Sequence, residues 1–193
     1  DTSLRIGFVR TPWWDQADEA TQHVLECTAE KLAKEGAEVD ELLLPHGFAE
    51  LADAHKLVMS FDAARARAYE YVNHPDKLSP QFTALMEEGQ RISYEEYRQA
   101  QVQSVECRGQ LSELMSGYDV LLAPSAPGEA PEGHEATGDP LFSRMWTLLH
   151  VPSVTLPVDK GPLGLPIGVQ VVGAVHEDST LISDAEWIYD RLK

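Results

Sequence analysis

Residues 146–173 read WTLLHVPSVTLPVDKGPLGLPIGVQVVG. Two apolar runs lie within them, Val151–Val158 and Leu165–Val172, joined by the Pro/Gly-rich connection Asp159–Gly164. Runs of this length, rich in Val, Ile and Leu and bounded by Gly and Pro, read as strands. Taken over these windows neither run alternates cleanly between apolar and polar residues, which predicts a sheet covered on both faces, as in an α/β protein. Pro152, Pro157 and Pro166 have no N–H to give to a ladder, so they are expected at strand ends or bulges.

Working outward, Leu141–His150 reads as a helix with Phe142, Met145, Trp146 and Leu149 on one face. Before it, Gly128–Asp139 is a polar loop rich in Gly, Pro and Glu. With so few apolar anchors it is expected to be mobile, either a solvated excursion or a lid. Tyr118–Ala123 (YDVLLA) is a further strand, ending in Pro124-Ser125-Ala126-Pro127. Ser93 and Glu96 form a capping box that opens a long helix with the stripe Tyr97, Ala100, Ser104, Cys107, Leu111 and Leu114, closed by Gly117. Ser79-Pro80 starts a shorter helix that ends near Gly89. Phe48–Val72 reads as one Ala-rich helix, broken by Asn73-His74-Pro75.

At the N-terminal end, Leu4–Val9 is a strand, and Asp15 is expected to cap a helix carrying Asp18 and Glu19 in its first turn. Val24, Leu25 and Leu32 recur at helical spacing. Gly36 suits the left-handed position after the helix, and a strand follows at Val39–Leu44. Beyond residue 173, Glu177-Asp178 caps a last helix with the core face Leu181, Ala185 and Ile188. Strands alternating with helices, without an internal repeat or a linker, give one α/β domain over 1–193. Its mixed sheet is covered by helices on both faces.

Asp and Glu outnumber Lys and Arg 32 to 15, a net charge of −17. That field repels phosphate backbones and anionic lipid, so neither nucleic acid nor a membrane surface is expected as a partner. Cys27 and Cys107 have no CxxC spacing, and both are placed on apolar helix faces as core residues. Two lone thiols suit a reducing compartment, hence a cytoplasmic protein. No run approaches the length of a membrane span, and no signal-like segment opens the chain. Residue 1 is Asp and a strand begins by Leu4, from which a longer parent protein is expected.

The seven His are scattered without HExxH or His-x-His spacing, which argues against a metal site. No Gly-x-Gly is present to cradle a phosphate. A nucleophilic hydroxyl needs a base and an oxyanion turn. The sequence contains no Gly-x-Ser-x-Gly, Ser-x-x-Lys or Ser-Ser. Ser125, at a strand end between Pro124 and Ala126, has neither partner beside it and reads as a pocket or turn residue.

Several segments carry a resemblance in chain order. Tyr118–Pro127 resembles the strand-and-loop "Asp-hydrophobic-Leu-hydrophobic-x-Pro-x-x-Pro" of the amidase signature family. Ser143–Pro152 resembles its "Trp-x-hydrophobic-x-Gly-x-Pro" segment, with His150 where Gly is usual. Gly164-Leu-Pro-Ile-Gly-Val-Gln-Val-Val-Gly173 matches closely. Glu177-Asp178, Leu181-Ile182, Ala185 and Glu186 continue the pattern, and Leu4–Val9 resembles the strand that opens the family's post-catalytic half. The resemblance implies the C-terminal portion of an amidase that hydrolyses a carbon–nitrogen bond of a small-molecule amide, without metal or organic cofactor. The family's Ser–cis-Ser–Lys set precedes this region, so no residue here inherits a catalytic role. This chain alone is expected to be inactive. By position, Ser125, Asp139, Phe142, Trp146 and Thr147 are the candidates for one wall of the substrate pocket. A homo-oligomer is left open. The alternative reading is a non-catalytic α/β module that binds a small molecule or a partner chain, motivated by the missing catalytic constellation.

Overall fold

The computed structural model describes residues 3–193. Its strands are β1 (Arg5–Phe8), β2 (Glu38–Glu41), β3 (Val120–Pro124), β4 (Ser153–Lys160) and β5 (Pro166–Val172). Its helices are α1 (Glu19–Lys34), α2 (Leu51–Ala66), α3 (Ala68–Asn73), α4 (Pro80–Arg91), α5 (Tyr94–Met115), α6 (Leu141–Leu149) and α7 (Asp178–Leu192). The strands form one sheet in the order β2-β1-β3-β5-β4. β1 pairs parallel with β2 and β3, whereas β5 pairs antiparallel with β3 and β4. The sheet is therefore mixed, and β3, buried at all five positions, lies at its centre.

The pleat sorts the strand residues into two cores. Ile6, Phe8, Val120, Leu122, Val169 and Val171 pack with Leu25 and Leu32 of α1 and Leu181 and Ile188 of α7. Leu121, Ala123 and Val172 face the other way, against Leu51 of α2, Cys107 and Leu111 of α5, and Trp146 and Leu149 of α6. Helices thus cover both faces. α4 rests on α2 through Gly89, where a Cβ would overlap the Ser60 carbonyl and come within 2.8 Å of the Ala64 methyl.

The prolines of the β4–β5 hairpin sit where a missing N–H is harmless. Pro152 precedes β4 and accepts from Gly173 N–H at 3.0 Å. A bulge falls between Pro157 and Asp159, and Pro166 opens β5. Coverage of β4 differs from expectation. Val154, Leu156 and Val158 are at least partly buried, while Ser153, Thr155, Pro157 and Asp159 are exposed. β4 is an edge strand packed on one face only, and the register S-V-T-L-P-V-D alternates accordingly.

Four local readings are corrected by the backbone. Asp18, not Asp15, caps α1: its side chain accepts from Thr21 N–H, while Asp15 lies in a 3-10 turn, Trp14–Gln16. Phe48–Val72 is not one helix. A 3-10 turn, His46–Glu50, leads into α2, and Arg67 (φ −115°, ψ 20°) separates α2 from α3. β2 stops at Glu41, because after Leu42 N–H bonds the Phe8 carbonyl the chain leaves the sheet edge. Cys27 is exposed on α1 beside His23, and only Cys107 is buried.

Candidate functional site

At the C-terminal end of β3 a cleft of about 570 Å³ opens, to whose lining no helix contributes among the described residues. Its floor is Thr155 and Pro157 of β4 with Pro166 and Gly168 of β5. Its wall is formed by residues 125–131 and 137–139 of the loop after β3. Gly168 is required by closeness. A Cβ there would lie 2.6 Å from the Thr155 methyl and 3.2 Å from the Leu156 carbonyl oxygen.

Ser125 is the first residue beyond β3, and its Oγ donates to the Gly168 carbonyl at 2.9 Å. The loop is anchored at three places. Asp18 N–H donates to the Pro127 carbonyl at 2.8 Å, which ties the loop to the start of α1. The Glu129 carboxylate accepts from Leu163 N–H at 2.9 Å and Leu165 N–H at 2.7 Å, clasping the β4–β5 turn. Asp139 Oδ1 accepts from Leu141 N–H at 3.0 Å and lies 3.6 Å from Arg144, so it holds the start of α6. Between these anchors residues 130–138 are exposed and form neither helix nor strand.

The structure brings Ser125 and Asp139 to one cleft and sends the other three candidates elsewhere. Phe142 and Trp146 are fully buried on the inner face of α6, with Trp146 Nε1 lacking a partner among the described residues. Thr147 faces solvent, its hydroxyl donating back to the Ser143 carbonyl at 3.0 Å. The residues that sequence reasoning missed are Thr155, Gly168 and Glu129. The alternation along β4 was the signal for the first, and no local pattern announces a carboxylate that acts across 34 and 36 positions.

Among the described residues the titratable groups of the cleft are Glu129 and Asp139, each held by backbone N–H donors. Among the described residues no imidazole, amine or thiol lines it to take a proton from Ser125. Among the described residues no group of three His, Cys, Asp or Glu is arranged to hold a metal ion. No described helix is long and apolar enough to cross a membrane.

Comparison with known proteins places this architecture. The family model described as Amidase matches residues 1–182. A glutamyl-tRNA(Gln) amidotransferase chain of Acaryochloris marina is 26% identical over 97% of this chain and 45% of its own length. The 2-amino-5-chloromuconic acid deaminase of Comamonas testosteroni is 26% identical over 94% of this chain and 42% of its own length. A crystal structure of an amidase superposes with a TM-score of 0.88 at 26% identity, covering 100% of this chain and 46% of that one. The chain therefore spans less than half the length of the relatives it matches. The chain belongs to the amidase family.

Proposed function

We propose that this chain is the C-terminal portion of an enzyme that hydrolyses the carbon–nitrogen bond of a small-molecule amide. The observation that carries the reading is the family match over residues 1–182, in a sequence without Ser-Ser or Ser-x-x-Lys. The nucleophile, its base and the oxyanion donors then come from the remainder of the enzyme. This chain supplies sheet core, helical cover and a pocket wall built on Ser125, Thr155 and Gly168, with Asp139 at its margin. Phe142 and Trp146 belong to the buried face of α6 rather than to that wall. The unpaired edge of β4 borders the cleft, and an exposed edge with free backbone donors and acceptors is a ready surface for further chain.

The test is ammonia release from a panel of aliphatic and aromatic primary amides. The full-length protein is expected to turn over at least one of them, and the 193-residue chain alone none. Turnover by the 193-residue chain, abolished by Ser125→Ala, would overturn the reading.

A further inference from the structure

On the α5 side of the molecule, remote in sequence from the cleft, a second cavity of about 180 Å³ lies between the C-terminal half of α5, the end of α6 and the segment after β5. Leu111, Met115, Leu149, Val151 and Ala174 give it an apolar lining, and Val175, 40% exposed, stands at its mouth. A dry apolar cavity of about 150 Å³ is sufficient for a benzene ring. Among the described residues the one charged group in the lining is Arg108.

Arg108 is unusual in this chain. Acidic residues outnumber basic ones 32 to 15, yet no carboxylate lies within ion-pair distance of its guanidinium among the described residues. Its Nε and Nη2 donate to the Leu148 carbonyl at 3.1 and 2.8 Å, and Nη2 lies 3.1 Å from His150 Nε2. Nη1 has no partner among the described residues. His150 holds a left-handed conformation (φ 59°), which a Cβ-bearing residue adopts only at a cost. A glycine would end α6 there without strain but would remove the ring nitrogen that meets Arg108 Nη2.

We propose that this cavity is a binding site for a small aromatic carboxylate, the ring filling the apolar cavity and the carboxylate meeting the half-buried Arg108. A half-buried guanidinium without a counter-charge, beside an apolar cavity of ring size, is complementary to that ligand class. The same geometry disfavours a neutral or cationic ring, which would leave Arg108 without an anion.

The probe is 4-fluorobenzoate, followed by ligand-observed fluorine NMR with the full-length protein, and 4-fluorobenzyl alcohol is the neutral control. Saturable binding with a Kd of about 1 mM or tighter is expected for the acid. Arg108→Gln should weaken it by about tenfold or more. Because Arg108 also caps α6, a second variant keeps the test independent of folding: Val175→Trp blocks the mouth, leaves the arginine's bonds in place and should abolish binding. The alcohol should bind at least about tenfold more weakly than the acid. Absence of saturable acid binding would overturn the proposal and leave Arg108 as a helix cap alone. Binding unchanged in both variants would assign the acid to another site and overturn it equally. Neither result bears on amide turnover, which is measured separately.

Discussion

At Asp119 one carboxylate joins the starts of two neighbouring strands. It accepts from Arg5 N–H at 2.8 Å and Arg5 Nη2 at 2.7 Å, while its own N–H donates to the Arg5 carbonyl at 2.9 Å. These bonds to Arg5 hold its carboxyl below the usual carboxylate range. The contribution is therefore complete above about pH 4, the ordinary carboxylate pKa, and is lost as pH falls through the folded-state value. Asp119→Asn is expected to cost about 1 kcal/mol at pH 7 and almost nothing in strong acid. Asp184 behaves oppositely. Burial and then the nearby Asp119 charge push its carboxyl up, and Oδ2 is buried without a partner among the described residues. Its charged form weakens the fold, so Asp184→Asn should raise stability at pH 7. That advantage fades as acidification protonates Asp184 itself. Urea midpoints from strong acid, about pH 2, up to pH 7 check both signs. At this scale the sequence was partly legible. The apolar stripe of Phe142, Met145, Trp146 and Leu149 foretold an inner helix face, and Ser125 at a strand end foretold a cleft edge. The bonds of Asp119 and Glu129 join residues distant in sequence, and no local spacing records them.

Elements that announce their own ends were legible, and those whose ends depend on neighbours were not. The Ser93–Glu96 capping box starts α5 where expected, with both reciprocal bonds formed. Ser79-Pro80 starts α4 likewise. α2 packs on α4, α5 and α6, and nothing in the run of Ala and Arg residues marks the break at Arg67. The α2–α4 contact gives the sharpest prediction at this scale. Gly89→Ala would drive a methyl into the Ser60 carbonyl, and overpacking of that kind costs about 3 kcal/mol, read as a lower urea midpoint. The β4–β5 turn gives another. Glu129→Ala removes the acceptor for two turn amides, and hydrogen exchange at Leu163 and Leu165 should quicken by about tenfold or more with little change in the core.

For the molecule as a whole, the two cores lie on opposite faces of one sheet and share β3. Leu25→Ala in one core and Leu111→Ala in the other are each expected to cost about 3 kcal/mol. The double variant should lose the sum to within about 0.5 kcal/mol, with an unchanged denaturant slope. A split transition would mean that the two helical layers unfold separately and would contradict a single cooperative domain. The order β2-β1-β3-β5-β4 has a further consequence in time. Of these five strands β1 is synthesised first, but its inner neighbour is β3, and the Arg5–Asp119 bonds that join them span 114 positions. At translation rates of about 5–20 residues per second, that neighbour arrives roughly ten seconds later. Through this interval the nascent β1–α1–β2 unit carries one bare strand edge and an uncovered apolar face. The inner edge of β1 is thus closed only once β3 has been synthesised.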